Sequence, residues 1–240
     1  MASSGLQGKV TLITGATGVV GPAVVAAFAE DGATIAAASR SEAELAHLRE
    51  ELGLPAGRWA GYLVDLADPA ATQALVDAIV ARYGRIDILA AVAGGWRGGA
   101  TVAATEPATF DWLLRTNLLT AFNACRAVLP VMQANAWGRI ITVGARSAVT
   151  GQAQSGAYAA SKAALIALTQ SIALETRNQG ITANVVLAST IDTPANRASM
   201  PDADPGRWVT PVQIAAVIRF LCSDQAAAIS GVALPVYGRA

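Results

Sequence analysis

Histidine is almost missing from this 240-residue chain; the single one is His47. It falls in a charged, exposed-looking helical stretch, residues 42–50, which argues against histidine catalysis and against a histidine-rich metal site. Cysteine is scarce as well. Cys125 and Cys222 each lie in an apolar helical pattern, predicting buried free thiols rather than a disulfide or ligand pair, and no metal is expected. Charged residues make up only 14%, split evenly between 17 Lys and Arg and 17 Asp and Glu. The basic residues are scattered, so neither nucleic acid nor an anionic membrane is an expected partner. No run reaches about 18 uncharged apolar residues, and no membrane-spanning helix is expected. Residues 1–8 lack the basic and apolar regions of a signal peptide and read as a short tail, with a cytoplasmic location as the expectation.

What the chain has in abundance is apolar residues, 53% in all, with Ala and Val dominant. Short apolar runs alternate with helical patterns along the whole length, as in an α/β protein whose sheet is buried on both faces. Strands are predicted over residues 9–14, 33–40, 59–64, 86–92, 139–143, 181–187 and 232–236. Helices are predicted over 22–30, 42–50, 69–83, 107–133, 154–177 and 211–221, and residues 188–210 read as an irregular substrate loop. No repeat or linker divides the chain. The expectation is one Rossmann-like domain over 1–240, a doubly wound, seven-stranded parallel sheet with helices on both faces.

In such sheets ligands bind beyond the carboxyl ends of the strands. The first predicted strand runs directly into Gly15-Ala16-Thr17-Gly18-Val19-Val20-Gly21 and then a helix, the arrangement of a dinucleotide-binding turn. Gly15 permits the tight turn, Gly18 a close approach of backbone to phosphate, and Gly21 close packing of helix on strand. The second strand ends at Ser39-Arg40 rather than at an acid, which favours NADP(H) over NAD(H), since an arginine suits a 2′-phosphate. Further along, Tyr158 and Lys162 stand one helical turn apart on one face. An ammonium there is expected to lower the phenol's pKa and ready it for proton transfer. The spacing alone is weak, since it arises by chance in roughly one chain of this size in two or three; its weight comes from the surrounding motifs.

Those motifs together resemble the short-chain dehydrogenases/reductases. The matching stretches are Thr14 to Gly21, Asp65 after the third strand, Ala93-Gly94 after the fourth, Asn117 in the long helix, Tyr158 with Lys162, Ile191-Asp192-Thr193-Pro194, and residues 229–236. The resemblance implies a nicotinamide cofactor contacted by Gly15, Thr17, Gly18, Gly21, Ser39, Arg40, Asp65, Ala93, Gly94 and Thr190. It implies Tyr158 as proton donor, Lys162 on the ribose, and Asn117 holding a relay water. It also implies a small-molecule substrate and a homotetramer or homodimer formed through the helices of Asn117 and Tyr158.

Departures from the family pattern are informative. The family's serine normally precedes the tyrosine by 13 residues, and that position is Ala145. Ala93-Gly94-Gly95-Trp96, Ala145-Arg146 and residues 192–204 are locally similar to dihydropteridine reductases. This similarity points to an activated acceptor, a quinonoid or conjugated imine or carbonyl that depends less on the missing hydroxyl. Trp96, Arg146, Ser147 and Asn196 are the expected substrate contacts. The alternative is an ordinary ketone or 3-oxoacyl reductase in which Ser147 or water replaces the hydroxyl. An alternative of another class is a non-catalytic NADP-binding regulator or scaffold, against which the retained Asn117, Tyr158 and Lys162 argue.

Overall fold

The computed structural model of the protein describes residues 5–239. In chain order its main elements are β1 (Val10–Thr14), α1 (Gly21–Glu30), β2 (Thr34–Ser39), α2 (Glu42–Leu52), β3 (Trp59–Leu63), α3 (Pro69–Tyr83) and β4 (Ile88–Ala91). Then come α4 (Pro107–Leu114), a π-turn (Arg115–Leu119), α5 (Thr120–Ala134), β5 (Gly138–Ala145), α6 (Ser147–Thr150), α7 (Gly156–Glu175), β6 (Ile181–Ala188), α8 (Pro194–Ser199), α9 (Pro211–Cys222) and β7 (Ala233–Val236). Among the described residues the strands form one seven-stranded sheet in the order 3-2-1-4-5-6-7, and every pairing is parallel. The order reverses between β1 and β4, which opens a crevice at their carboxyl ends.

The alternation of side chains along each strand sorts the core into two layers. Ile13, Ile35, Ala37, Ile141 and Val186 face α1, α2 and α9. Leu12, Ala36, Leu89, Ile140 and Ala183 face α3, α5 and α7. The small strand side chains, Ala36, Ala37, Ala38, Ala90 and Ala91, let the helices seat closely on both faces. Helix starts follow local rules: Asp68 caps α3 through the Ala70 and Ala71 amides, and Thr210 with Gln213 forms a full capping box on α9. Cys125 and Cys222 are buried free thiols, and burial pushes the Cys125 thiol up to about 12.

Three expectations change. Residues 1–4 of the predicted tail lie outside the described residues, and the rest does not trail free, because Leu6 is fully buried in the layer beneath α1 and α9. The long helix predicted over 107–133 is interrupted, since the π-turn inserts an extra residue between α4 and α5. Residues 188–210 are ordered: Thr193 caps α8, Ile191 bridges to Val209, and a tight turn spans Pro205–Arg207. Helix α7 is long and apolar enough to cross a membrane by length and composition, yet it is a core helix of this fold. Its inner face packs on β5 and β6, and it carries the buried Lys162.

Candidate active site

The turn after β1 keeps its backbone open at the start of α1. Gly15 has a left-handed φ of 63°, and a Cβ there would stand 2.7 Å from the Ala93 Cα. A Cβ on Gly21 would collide with the Gly15 carbonyl oxygen. Gly18 is exposed and its virtual Cβ meets only the Gly15 carbonyl, 3.3 Å away, so its backbone stays approachable. Helix α1 has Val20 at its N-cap and no side-chain cap, leaving first-turn amides for an anion. The residues present therefore fit a dinucleotide, with pyrophosphate at the α1 N-terminus. The Thr17 and Ser39 hydroxyls lie 2.7 Å apart beyond the ends of β1 and β2, while Arg40 is exposed beside them. Asp65 accepts from the Ala67 amide at 2.9 Å and from Arg115 at 3.1 Å; the amide first, then the guanidinium, hold its carboxyl below the usual range. Ala93 donates its amide to Thr14 Oγ1 at 3.2 Å, tying the ends of β1 and β4 together.

Across the crevice the π-turn directs Asn117 inward, where it is fully buried. Its side chain pairs with Gly95 as a strand would: Gly95 N donates to Oδ1 at 2.9 Å and Nδ2 donates to Gly95 O at 3.0 Å. Nδ2 also donates to Ser161 Oγ at 3.1 Å. The Asn117 side chain thus clamps the loop after β4 onto α7, so any water it binds must use its main chain. Ser161, inside the Tyr158-to-Lys162 stretch, is a partner that nothing in its spacing marks. Gly94 sits between the clamp and Lys162; a Cβ there would come within 2.9 Å of Asn117 Oδ1 and 3.1 Å of Lys162 Nζ.

Lys162 is buried and donates to Val143 O at 2.7 Å. Burial lowers its ammonium to about 8, and burial raises the Tyr158 phenol to about 12. This corrects the expectation that the lysine depresses the tyrosine: desolvation dominates both groups and favours the neutral form of each. The Tyr158 hydroxyl has no hydrogen-bond partner among the described residues. A phenol at about 12 is securely protonated near neutral pH, as a proton donor requires.

On the substrate side, Ala145 ends β5 buried, with no hydroxyl to offer. Ser147 opens α6, which packs on α7; it is 7% exposed, and its hydroxyl has no partner among the described residues. Arg146 places its guanidinium 5.7 Å from the Tyr237 ring. Asn196 is turned to the protein, donating from Nδ2 to Ile191 O at 2.8 Å, and Arg197 forms a two-pronged ion pair with Asp192. Both brace the loop after β6, so the amide end of Asn196 is not free for a substrate. Thr190 leads out of β6 and accepts from the Val209 amide at 3.1 Å. Trp96 is 62% exposed and borders a hollow of about 400 Å³ reaching the start of α7, with Arg97, Gln154 and Ser155 also on its wall. Gln154 adopts a left-handed φ of 60° there, and Ser155 is a buried residue that sequence reasoning passed over.

Comparison with known proteins matches residues 9–204 to the model of the short chain dehydrogenase family. The chain is 33% identical over 240 residues to the 3-oxoacyl-[acyl-carrier-protein] reductase FabG of Escherichia coli (strain K12), covering 97% of each chain. It is 34% identical over 244 residues to the D-threitol dehydrogenase of Mycolicibacterium smegmatis, covering 97% of this chain and 93% of that one. The crystal structure of gox2181 superposes with a TM-score of 0.92 at 28% identity, covering 99% of this chain and 98% of that one.

Proposed function

Since the chain belongs to the short-chain dehydrogenase family and is an NAD(P)-dependent oxidoreductase, we propose that it reduces a ketone of the 3-oxoacyl type. Tyr158 is the proton donor, and Ser147 or an ordered water supplies the hydrogen bond that Ala145 lacks. The observation that carries this reading is that α6 packs on α7, with Ser147 at the start of one and Tyr158 near the start of the other, neither hydroxyl having a hydrogen-bond partner among the described residues. The 3-oxoacyl reductase relatives support it.

When bound, the nicotinamide supplies the hydride that reaches the carbonyl carbon. Tyr158 gives its proton to the carbonyl oxygen, which becomes a hydroxyl. Lys162 places a positive charge one helical turn below and stabilises the tyrosinate left behind. Asn117 and Ser161 fix the loop bearing Gly94 and Gly95, holding the crevice at its working width. Arg40, with no acid at Ser39, favours NADP(H) over NAD(H).

A second reading, an activated quinonoid or conjugated acceptor, is favoured by the alanine at position 145 and by the exposed Trp96, a stacking surface for a flat ring. The two separate in one assay. Oxidation of NADPH and NADH is followed with 3-oxoacyl thioesters, cyclic ketones and quinonoid dihydropterin, using Tyr158→Phe as control and Ser147→Ala as the diagnostic variant. Thioester turnover lowered at least tenfold by Ser147→Ala supports the first reading; turnover of dihydropterin alone establishes the second. Cofactor binding without turnover of any acceptor leaves the regulator.

The chain is also proposed to form a homodimer or homotetramer. Leu114, Leu118, Leu119, Phe122 and Leu168, together with Asp111 and Arg115, line a largely apolar hollow of about 620 Å³ between α4, the π-turn, α5 and α7. Leu119 and Phe122 are 37% and 44% exposed in the single chain. Light scattering on the purified protein tests this, with Phe122→Glu expected to yield monomers.

A further inference from the structure

Glu44 occupies an unexpected place. Ser41 and Glu44 have the Ser-x-x-Glu spacing of a capping box at the start of α2, and Ser41 Oγ does accept the Glu44 amide at 3.3 Å. The reciprocal half is absent. The Ser41 amide instead donates to Ser39 Oγ at 3.2 Å, and the Glu44 carboxylate crosses to the glycine turn, where Thr17 Oγ1 donates to it at 2.7 Å. Because Thr17 spends its one proton on Glu44, its 2.7 Å contact with Ser39 must be donated by Ser39. The result is a directed chain: the Ser41 amide to Ser39, Ser39 to Thr17, and Thr17 to Glu44.

This chain ends where the ribose 2′ position of a dinucleotide is read, beyond the carboxyl end of β2. A 2′-phosphate needs donors and positive charge. Here the Ser39 proton is given to Thr17 and the Thr17 proton to the Glu44 carboxylate, while the exposed Arg40 offers charge of the right sign. A 2′-hydroxyl is itself a donor, and the Glu44 carboxylate is an acceptor with lone pairs to spare. We propose that Glu44 is a cofactor-selectivity residue of this chain, opposing the 2′-phosphate that Arg40 attracts and so holding the preference for NADP(H) over NAD(H) small. Sequence position hides it, because selectivity is sought at Ser39 and Arg40 while Glu44 lies one helical turn further on.

The inference rests on the nicotinamide-nucleotide reading given above, and the test separates the two. NADPH and NADH are titrated into wild type, Glu44→Gln and Glu44→Lys by calorimetry, at low and high salt. Glu44→Gln is expected to tighten NADPH by roughly tenfold and to leave NADH within about threefold. Glu44→Lys is expected to exceed it for NADPH, and both gains shrink at high salt. Glu44 is exposed, so neither variant threatens the core. A residue that merely braced α2 against the turn would shift both nucleotides alike, and equal shifts, or none, overturn the inference while leaving the reductase reading intact. Wild type binding neither nucleotide overturns both.

Discussion

The two edges of the sheet treat buried charge in opposite ways. At the amino edge, Asp87 is fully buried just before β4 and its carboxylate is well supplied. It accepts the Val10 amide at 2.8 Å, pairs with Arg85, and has Lys9 4.0 Å away. Lys9 lies over the Trp137 ring at 3.7 Å, with Arg139 near the same ring at 4.3 Å. Arg139 donates to the carbonyls of Gly138 and Gly180. At the carboxyl edge, Lys162 is also buried but holds one carbonyl, and its helical neighbour Tyr158 holds no partner for its hydroxyl among the described residues. At the amino edge Asp87 is matched by Arg85 and Lys9 and ties β1 to β4. Arg139, whose guanidinium pKa is lowered by burial and whose Nε has no partner among the described residues, is held there by two carbonyls and a ring. Groups at the carboxyl edge are left short of partners, their protonation equilibria displaced, which is the condition of a site awaiting ligand.

Breaking each edge in turn should give different failures. The largest effect is expected from Tyr158→Phe: turnover falls by about 10²–10⁴-fold, while the thermal midpoint stays near that of wild type, as assay and calorimetry on the same sample would show. Asp87→Ala reverses the pattern. It strands the Val10 amide and unpairs Arg85, and chemical denaturation should register a loss of about 2–4 kcal/mol, with activity per folded molecule largely kept.

Lys162→Met sharpens the contrast through pH. The lysine's folded value of about 8 lies below its ordinary 10.5. Its burial therefore costs stability below about pH 8, and that cost is relieved as pH rises from about 8 to 10.5. Wild type should gain stability across that window relative to Lys162→Met, and near neutral pH the variant should be the more stable by about 1–3 kcal/mol, though catalytically poor. A stability difference that does not change with pH there would show that the ammonium is not burdened by burial. The smallest effect is expected from Ala145→Ser, which puts a hydroxyl at the end of β5, where the family pattern has one, and should raise ketone turnover by up to about tenfold, read in steady-state kinetics.

The parallel sheet and the glycine turn were legible because they rest on local rules: apolar runs of strand length, Gly15 where φ is positive, and Gly21 where helix meets strand. Tyr158 and Lys162 were legible as neighbours, but not the sign of the shift in Tyr158. That depends on how much protein surrounds the pair, which a four-residue spacing does not encode. Asn196 and Arg197 carry polar chemistry that reads equally well as substrate contact or loop brace; the structure brings Ile191 and Asp192 within their reach. Ser161, Ser155 and Glu44 were missed because each acts on a residue distant in sequence or through a hydroxyl with no pattern of its own.

The π-turn at Arg115–Leu119 has a consequence for how this site tolerates change. One extra residue in a helix shifts the angular phase of everything beyond it by about 100°. On this side of the crevice, then, the site depends on the number of residues as much as on their kind. Exchanging the exposed Leu119 for a polar residue keeps the count. Deleting Thr116, Leu118 or Leu119 would restore an unbroken helix, swing Asn117 away from Gly95 or Arg115 away from Asp65, and dismantle the crevice while every side chain that lines it keeps its identity.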